Sequence, residues 1–259
     1  MPQKLIHACQ RDGRPFFVLA LQGQTDKKIL DGVSHRWNRL GAVNEAVAIL
    51  KAEKVDTLVM AGSVRRPGIL EIKPDWRAIQ VFARLGTAAF GDDALLRAIA
   101  AELEKDGFRL VGAHEIEPQL ITPEGVLTRK SPSSENKTDL EYGLTVVKAL
   151  GQLDVGQAAV VQQGIVLGVE AVEGTDALLK RCRGLRRKGR GGVLVKVCKP
   201  QQDKRVDLPT VGLQTIGHAY EAGLEGIALE AGASLLLDRE EVIAAADKLG
   251  LFVMGVKAS

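Results

Sequence analysis

Four short segments in the second half of this chain mix carboxylates, amides or lysines with glycine or proline. They are Asp154-Val155-Gly156-Gln157, the run EAVEGTD from Glu170 to Asp176, KVCKPQQDKR from Lys196 to Arg205, and VDLPTVG from Val206 to Gly212. A rigid polar loop of that composition presents backbone N–H groups and charged side chains to a phosphate and a hard cation. Glu173-Gly174-Thr175-Asp176 follows an apolar run and precedes a helix. Gly174 permits close backbone approach, and Thr175 would bring a hydroxyl and the helix dipole to an anion. The same four residues also fit a plain helix cap, with the acids complementing the dipole. Lys196 and Lys199 flank a strand end before Pro200, and read either as phosphate ligands or as solvated lysines. Asp203 and Asp207 stand four apart in a loop that Pro209 keeps from becoming a helix. Two loop carboxylates can hold Mg²⁺ or position a water, and a charged surface loop has the same pattern.

Two basic clusters lie outside those segments. KRCRGLRRKGR, Lys180 to Arg190, carries seven basic residues in eleven. Its default reading is a solvated, partly mobile loop; an anionic head group or a nucleic acid is the other. Aromatics for base stacking are missing nearby, which counts against single-strand binding. MAGSVRRPG sets Gly62, Arg65 and Arg66 just after a strand, where an α/β sheet takes phosphate or nucleotide, or where a structural loop would sit. No P-loop, GxGxxG, GxSxG or kinase motif occurs. Three widely spaced cysteines (9, 182, 198) make neither a disulfide framework nor a paired-Cys zinc site, and suit a reducing cytosol. Four histidines without HExxH argue against a His-ligated zinc hydrolase.

Hydrophobic patterning shows which strands and helices carry these residues. PFFVLAL (15–21), DTLVMAG (56–62) and FRLVG (108–112) read as buried strands, and 42–53 and 91–107 as helices. That alternation implies right-handed crossovers and a doubly wound α/β layer. The polar stretch 124–138, EGVLTRKSPSSENKT, reads as a linker between a domain at 1–123 and a second at 139–259. The second half opens on a helix at 139–150. AAVVQ, IVLGVEAV, GVLVKVC, GIALE, SLLLD and LFVMGV are its strand-like runs, and helices are expected near Asp176, at 212–222 and at 239–249. With 259 residues, 26% charged and 46% hydrophobic, wholesale disorder is excluded; a net charge of +3 excludes a global field for nucleic acid. No apolar run approaches the roughly 18 residues that span a bilayer. MPQKLIHACQRDGR lacks a secretory pattern, so a cytoplasmic location is expected.

At these residues the chain resembles a known family. VGQAAVVQQGIVLGVEAVEGTDALLKRC, VLVKVCKPQQDKRVDLPTVGLQTI and AGLEGIALEAGASLLLDREEVIAAADKLGLFVMGV are similar to the LpxI type of UDP-2,3-diacylglucosamine pyrophosphatase. So are the RP of SVRRP, FGDDALL and HEIEPQLITPEGVLT, so the resemblance runs over essentially the whole chain. It implies hydrolysis of UDP-2,3-diacylglucosamine to UMP and 2,3-diacylglucosamine 1-phosphate (lipid X) in lipid A synthesis, with Mg²⁺ as cofactor and water attacking the sugar-side phosphorus. It implies two α/β domains with the active cleft between them. The first is Rossmann-like and expected to lack its usual first strand, because the chain opens at what reads as the proline closing the family's glycine-rich turn. The family's catalytic aspartate, in its Asp-Leu-Pro-Thr segment, carries over to Asp207. The expected pyrophosphate and substrate contacts are Gln157, Gly174, Thr175, Lys196, Lys199, Gln202 and Thr210, with Gly62, Arg65 and Arg66 on the nucleotide. The expected metal ligands are Glu173, Asp176 and Asp203. Expected partners are an acylated UDP-sugar, a bilayer met peripherally through that lipid, and a second copy in a homodimer, with no nucleic acid. A non-catalytic binder of a nucleotide-lipid or lipid X is the alternative.

Overall fold

The computed structural model describes residues 1–62, 64, 74–85 and 92–258. The chain divides into two compact units. One holds Met1–Glu117 together with Arg205–Asp207, the other Pro118–Lys204 and Leu208–Ser259.

In the first unit, α1 (Pro2–Arg11) turns Leu5, Ile6, Ala8 and Cys9 inward. β1 (Val18–Leu21) pairs in parallel with β2 (His35–Asn38). After α2 (Val43–Ala52), β3 (Thr57–Val59) pairs in parallel with β4 (Arg109–Val111), and α5 (Ala113–Ile116) comes after β4. Between β3 and β4 stand α3 (Trp76–Leu85) and α4 (Asp92–Lys105). Parallel pairing with helical crossovers is the α/β pattern expected. The described residues carry it as two separate two-stranded pairs rather than one continuous layer. Leu19 of β1 and Leu58 of β3 share a core with Val47, Leu50 and Phe108, but not a hydrogen-bonded ladder.

Glu102 ties α4 to α3. Its carboxylate meets Lys105 Nζ and Arg84 at 2.7 Å and Arg77 Nε at 3.3 Å. Lys105, then Arg84 and Arg77, hold its pKa at about 2, against the opposing effect of burial. A folded-state pKa below the unfolded one gives a stabilisation that is present above about pH 4.5 and lost as pH falls through about 2. Glu102→Gln should therefore cost about 2 kcal/mol at neutral pH, the scale of hydrogen bonds to a charged group. The gap between the melting temperatures of variant and parent should close between about pH 4.5 and 2, as seen by circular dichroism.

The second unit is built on a six-stranded mixed sheet among the described residues, ordered β5-β12-β10-β8-β6-β7. These are β5 (Gly125–Val126), β6 (Ala158–Gln162), β7 (Ile165–Val169), β8 (Val193–Lys196), β10 (Gly226–Glu230) and β12 (Phe252–Val256). β8, β10 and β12 run parallel; β5, β6 and β7 pair antiparallel with their neighbours. A short parallel pair, β9 (Thr210–Val211) and β11 (Leu235–Leu236), lies outside it. α6 (Ser134–Gln152) covers one face, where Leu140 and Val147 meet Val193, Val195 and Phe252. α7 (Thr175–Arg183), α8 (Leu213–Glu221) and α9 (Arg239–Leu249) cover the other, around Leu194, Ile227, Leu178, Ile216 and Val242.

The stretch expected to be a linker is part of this unit. Thr122, fully buried, receives a hydrogen bond from the Ser234 hydroxyl, β5 pairs with β12, and Val253 N–H donates to Thr128 Oγ1. Residues 134–138 already form the first turn of α6. Ser133 accepts from Asn136 N–H while Asn136 Oδ1 accepts from Ser133 N–H, a reciprocal cap that starts the helix five residues before its apolar face becomes legible.

Candidate active site

The pleat of β8 decides where Lys196 goes. Val193 and Val195 face α6, so Leu194 and Lys196 face α7. Lys196 lies at the C-terminal end of a central parallel strand and is buried. Its Nζ donates to Thr175 Oγ1 at 2.8 Å and to the Thr210 carbonyl at 3.2 Å. An ammonium has no lone pair, so the Thr175 hydroxyl must accept from it and aim its own proton elsewhere. It does: Thr175 Oγ1 donates to Glu170 Oε1 at 2.7 Å. The second Glu170 oxygen accepts from Gln157 N–H at 3.3 Å. Glu170 and Thr175 are buried as well, so the chain Gln157–Glu170–Thr175–Lys196–Thr210 is a low-dielectric network in which each charge is answered through a hydrogen bond.

Glycines allow this approach. A Cβ on Gly156 would lie 2.0 Å from the Glu170 carbonyl oxygen, so only glycine lets the 154–157 turn reach the end of β7. Gly174, at φ +78°, is the N-cap of α7 and gives that helix no side-chain cap. The first N–H groups of a helix have no partner within it, and with the positive dipole end they form a surface for an anion. Thr175 and Lys196 therefore put a hydroxyl, a buried ammonium and a helix N-terminus in one place.

Of the residues expected to act, Gln157, Gly174, Thr175, Lys196 and Thr210 come together here. The amide oxygen of Gln157 is buried without a hydrogen-bond partner, a further polar atom in this region. Asp176, next in α7, has its Oδ1 3.4 Å from Thr215 Oγ1 and 3.3 Å from His218 Nδ1. Lys199 and Gln202 form a neighbouring construction. Lys199 Nζ is 2.7 Å from Asp154 Oδ1, and buried Gln202 accepts from Lys199 N–H and the Cys198 thiol, shaping the 198–202 turn. Glu173 is turned onto Arg181 at 2.7 Å and accepts from Ala171 N–H; the guanidinium holds its carboxyl below the usual carboxylate range. Asp203 and Asp207 are half-buried in the loop between β8 and β9. Gly62, at φ +105°, lies just past β3 in the first unit, while Arg65 and Arg66 lie outside the described residues. Among the described residues no three His, Cys, Asp or Glu side chains gather as a metal cage. Glu170, central to the network, was not among the residues expected to act; its signal was a carboxylate closing an otherwise apolar strand.

Fold and site define a two-domain α/β protein in which a buried lysine and a helix N-terminus meet at the C-terminal end of a parallel strand. Models of the LpxI N-terminal and LpxI C-terminal domains match residues 1–120 and 123–254. A curated relative, the UDP-2,3-diacylglucosamine pyrophosphatase LpxI of Caulobacter vibrioides, is 45% identical over 263 aligned positions, covering 99% of this chain and 94% of that protein. The chain belongs to the LpxI family, a family that includes this pyrophosphatase.

Proposed function

We propose that this chain hydrolyses the pyrophosphate bond of UDP-2,3-diacylglucosamine, giving UMP and 2,3-diacylglucosamine 1-phosphate for lipid A synthesis, with Mg²⁺ as cofactor. The observation that carries the reading is the buried Lys196–Thr175 pair at the N-terminus of α7, in a chain matched to the family from end to end. A pyrophosphate diester concentrates negative charge, and cleaving it calls for neutralisation and an oriented water.

In this reading Lys196, Thr175 and the first N–H groups of α7 hold phosphate oxygens. Gln157 and Thr210 border that position, and Lys199 and Gln202 shape its rim. Asp207 takes the proton of the attacking water or holds the cation. The water oxygen bonds to the sugar-side phosphorus, the bond from that phosphorus to the bridging oxygen breaks, and UMP leaves with that oxygen. Mg²⁺ usually takes only one or two carboxylates and completes its shell with phosphate oxygens and water, so the residues present fit it without an all-protein cage. Asp176, beside Thr175, and Asp203 would hold it, and it would neutralise charge developing on the phosphoryl oxygens. Glu173, committed to Arg181, is the weakest of the expected ligands. The purified chain should release UMP from UDP-2,3-diacylglucosamine when Mg²⁺ is present and lose that activity with a chelator. Binding of the substrate without UMP release would replace the hydrolase reading with the non-catalytic one.

A further inference from the structure

We propose that the Lys180–Arg190 segment docks this protein on the anionic head-group layer of a lipid bilayer. The segment is not the mobile loop its composition suggests. Buried Gln162, at the end of β6, donates to the Arg187 and Arg190 carbonyls at 3.0 and 2.6 Å and accepts from Arg187 N–H at 2.9 Å. Gln163 Nε2 adds a bond to the Lys188 carbonyl. Fully buried Asp139 grips Arg190 at 2.7 Å and the N–H groups of Gln163 and Gly164 at the β6–β7 turn. Two buried polar side chains are thus spent on fixing the backbone at residues 187–190, which follow α7 and form neither helix nor strand.

What that backbone holds in place is uncompensated positive charge. Arg181 is paired with Glu173 and Arg190 with Asp139. The side chains of Lys180, Arg183, Arg186, Arg187 and Lys188 are exposed and make no ion pair or hydrogen bond among the described residues. Arg183 and Arg186 also line a shallow cavity of about 540 Å³ with Tyr220, Glu221 and Glu225, and Glu225 is engaged by Gly191 N–H. Exposed Leu185 (48%) and Tyr220 (53%) stand among these cations. Unpaired cations interleaved with an aliphatic and an amphipathic aromatic side chain match the interface of an anionic bilayer. Single-stranded nucleic acid would call for stacked aromatic platforms, and Tyr220 is the only aromatic lining that cavity among the described residues. Arg183 ends α7, Arg187 and Lys188 precede β8, and none of the three makes a contact with Gln157, Glu170, Thr175, Lys196 or Thr210, so they can be altered without touching the network described above.

The test is co-sedimentation of the full chain with vesicles of phosphatidylcholine alone and of phosphatidylcholine with phosphatidylglycerol. The chain should bind only the anionic vesicles, and should be released in about 1 M salt, where the Debye length falls to about 3 Å. Arg183→Gln combined with Arg187→Gln and Lys188→Gln leaves the buried Gln162 and Asp139 contacts intact. It should fold normally by circular dichroism and bind on the order of 100-fold more weakly, about fivefold per cation removed. Its turnover of detergent-dispersed substrate should be unchanged. Vesicle binding needs no turnover, so the proposal stands or falls apart from the hydrolase reading. Absent binding to anionic vesicles, equal binding to neutral ones, or a triple variant that binds like the parent would overturn it. So would tighter binding of an RNA oligonucleotide abolished by the same variant.

Discussion

Lys196→Met should lower kcat/KM for UMP release by about 10²–10³-fold, the cost of removing one preorganised donor to a developing anion. Methionine keeps the length and apolar stem of lysine, so the slot beneath α7 stays filled. What disappears is a buried charge, and burial is what makes it matter. In water an exposed lysine is screened, whereas here the ammonium acts through a medium of lower dielectric and is already oriented by Thr175 and Thr210. Lys196→Arg should not restore activity. Guanidinium is larger and forked, and cannot enter a buried site shaped for a point charge without displacing the Thr175 hydroxyl. On the proposed hydrolysis the loss should fall largely on kcat, because charge on a phosphoryl oxygen held by Lys196 would grow toward the transition state. A Lys196→Met protein with a reduced melting temperature but more than a third of the parent kcat would make the lysine a structural partner of Glu170 and nothing more.

The elements around that lysine were largely legible in the sequence. GIALE forms a strand at Gly226–Glu230, the 239–249 helix has its expected ends, and GVLVKVC yields β8. Each is an uninterrupted apolar run or an amphipathic period bounded by glycine, where burial and propensity agree. β2, His35–Asn38, was missed because HRWN carries no apolar run; it is a strand through its parallel pairing with β1. α1 was missed too, its inward face being only Leu5, Ile6, Ala8 and Cys9 within a polar segment. At the site, residue types near glycines picked out Thr175 and Lys196, but not which acid faces them. Glu170 and Glu173 are three apart, both close to Gly174, and indistinguishable by pattern. The difference lies in where the chain turns: Glu170 is drawn inward by Thr175 and Gln157 N–H, whereas Glu173 meets Arg181 on the next helix. Tertiary contacts of that kind leave no periodicity to read. The linker expected at 124–138 failed likewise, because polar composition does not reveal a two-residue strand or a reciprocal helix cap.

Asp207→Ala should fold, bind substrate and lose about 10²–10⁴-fold in kcat, the range for removing a positioned general base. Asp207 groups with the first unit, and the segment on its C-terminal side belongs to the second. Leu208 and Pro209 are buried, the Pro209 carbonyl accepts from Leu235 N–H at 2.8 Å, and Thr210 and Val211 pair with Leu235 and Leu236. Thr210 also closes its hydroxyl onto the Leu208 carbonyl at 3.0 Å. The chain just after Asp207 is therefore held at three successive points. In the chain, Asp207 stands three residues before Thr210, whose carbonyl accepts from Lys196. Asp207→Asn separates the two roles left open for the carboxylate. An amide cannot take a proton from water, but its oxygen can still ligate a cation weakly. A metal-ligand role predicts partial recovery of Asn-variant activity as Mg²⁺ is raised; a general-base role predicts none at any concentration. Both variants are to be checked by circular dichroism and assayed for UMP release at saturating substrate. A folded Asp207→Ala that keeps more than roughly a tenth of the parent kcat, well above the losses expected for either role, would remove Asp207 from the mechanism and pass its part to Asp203.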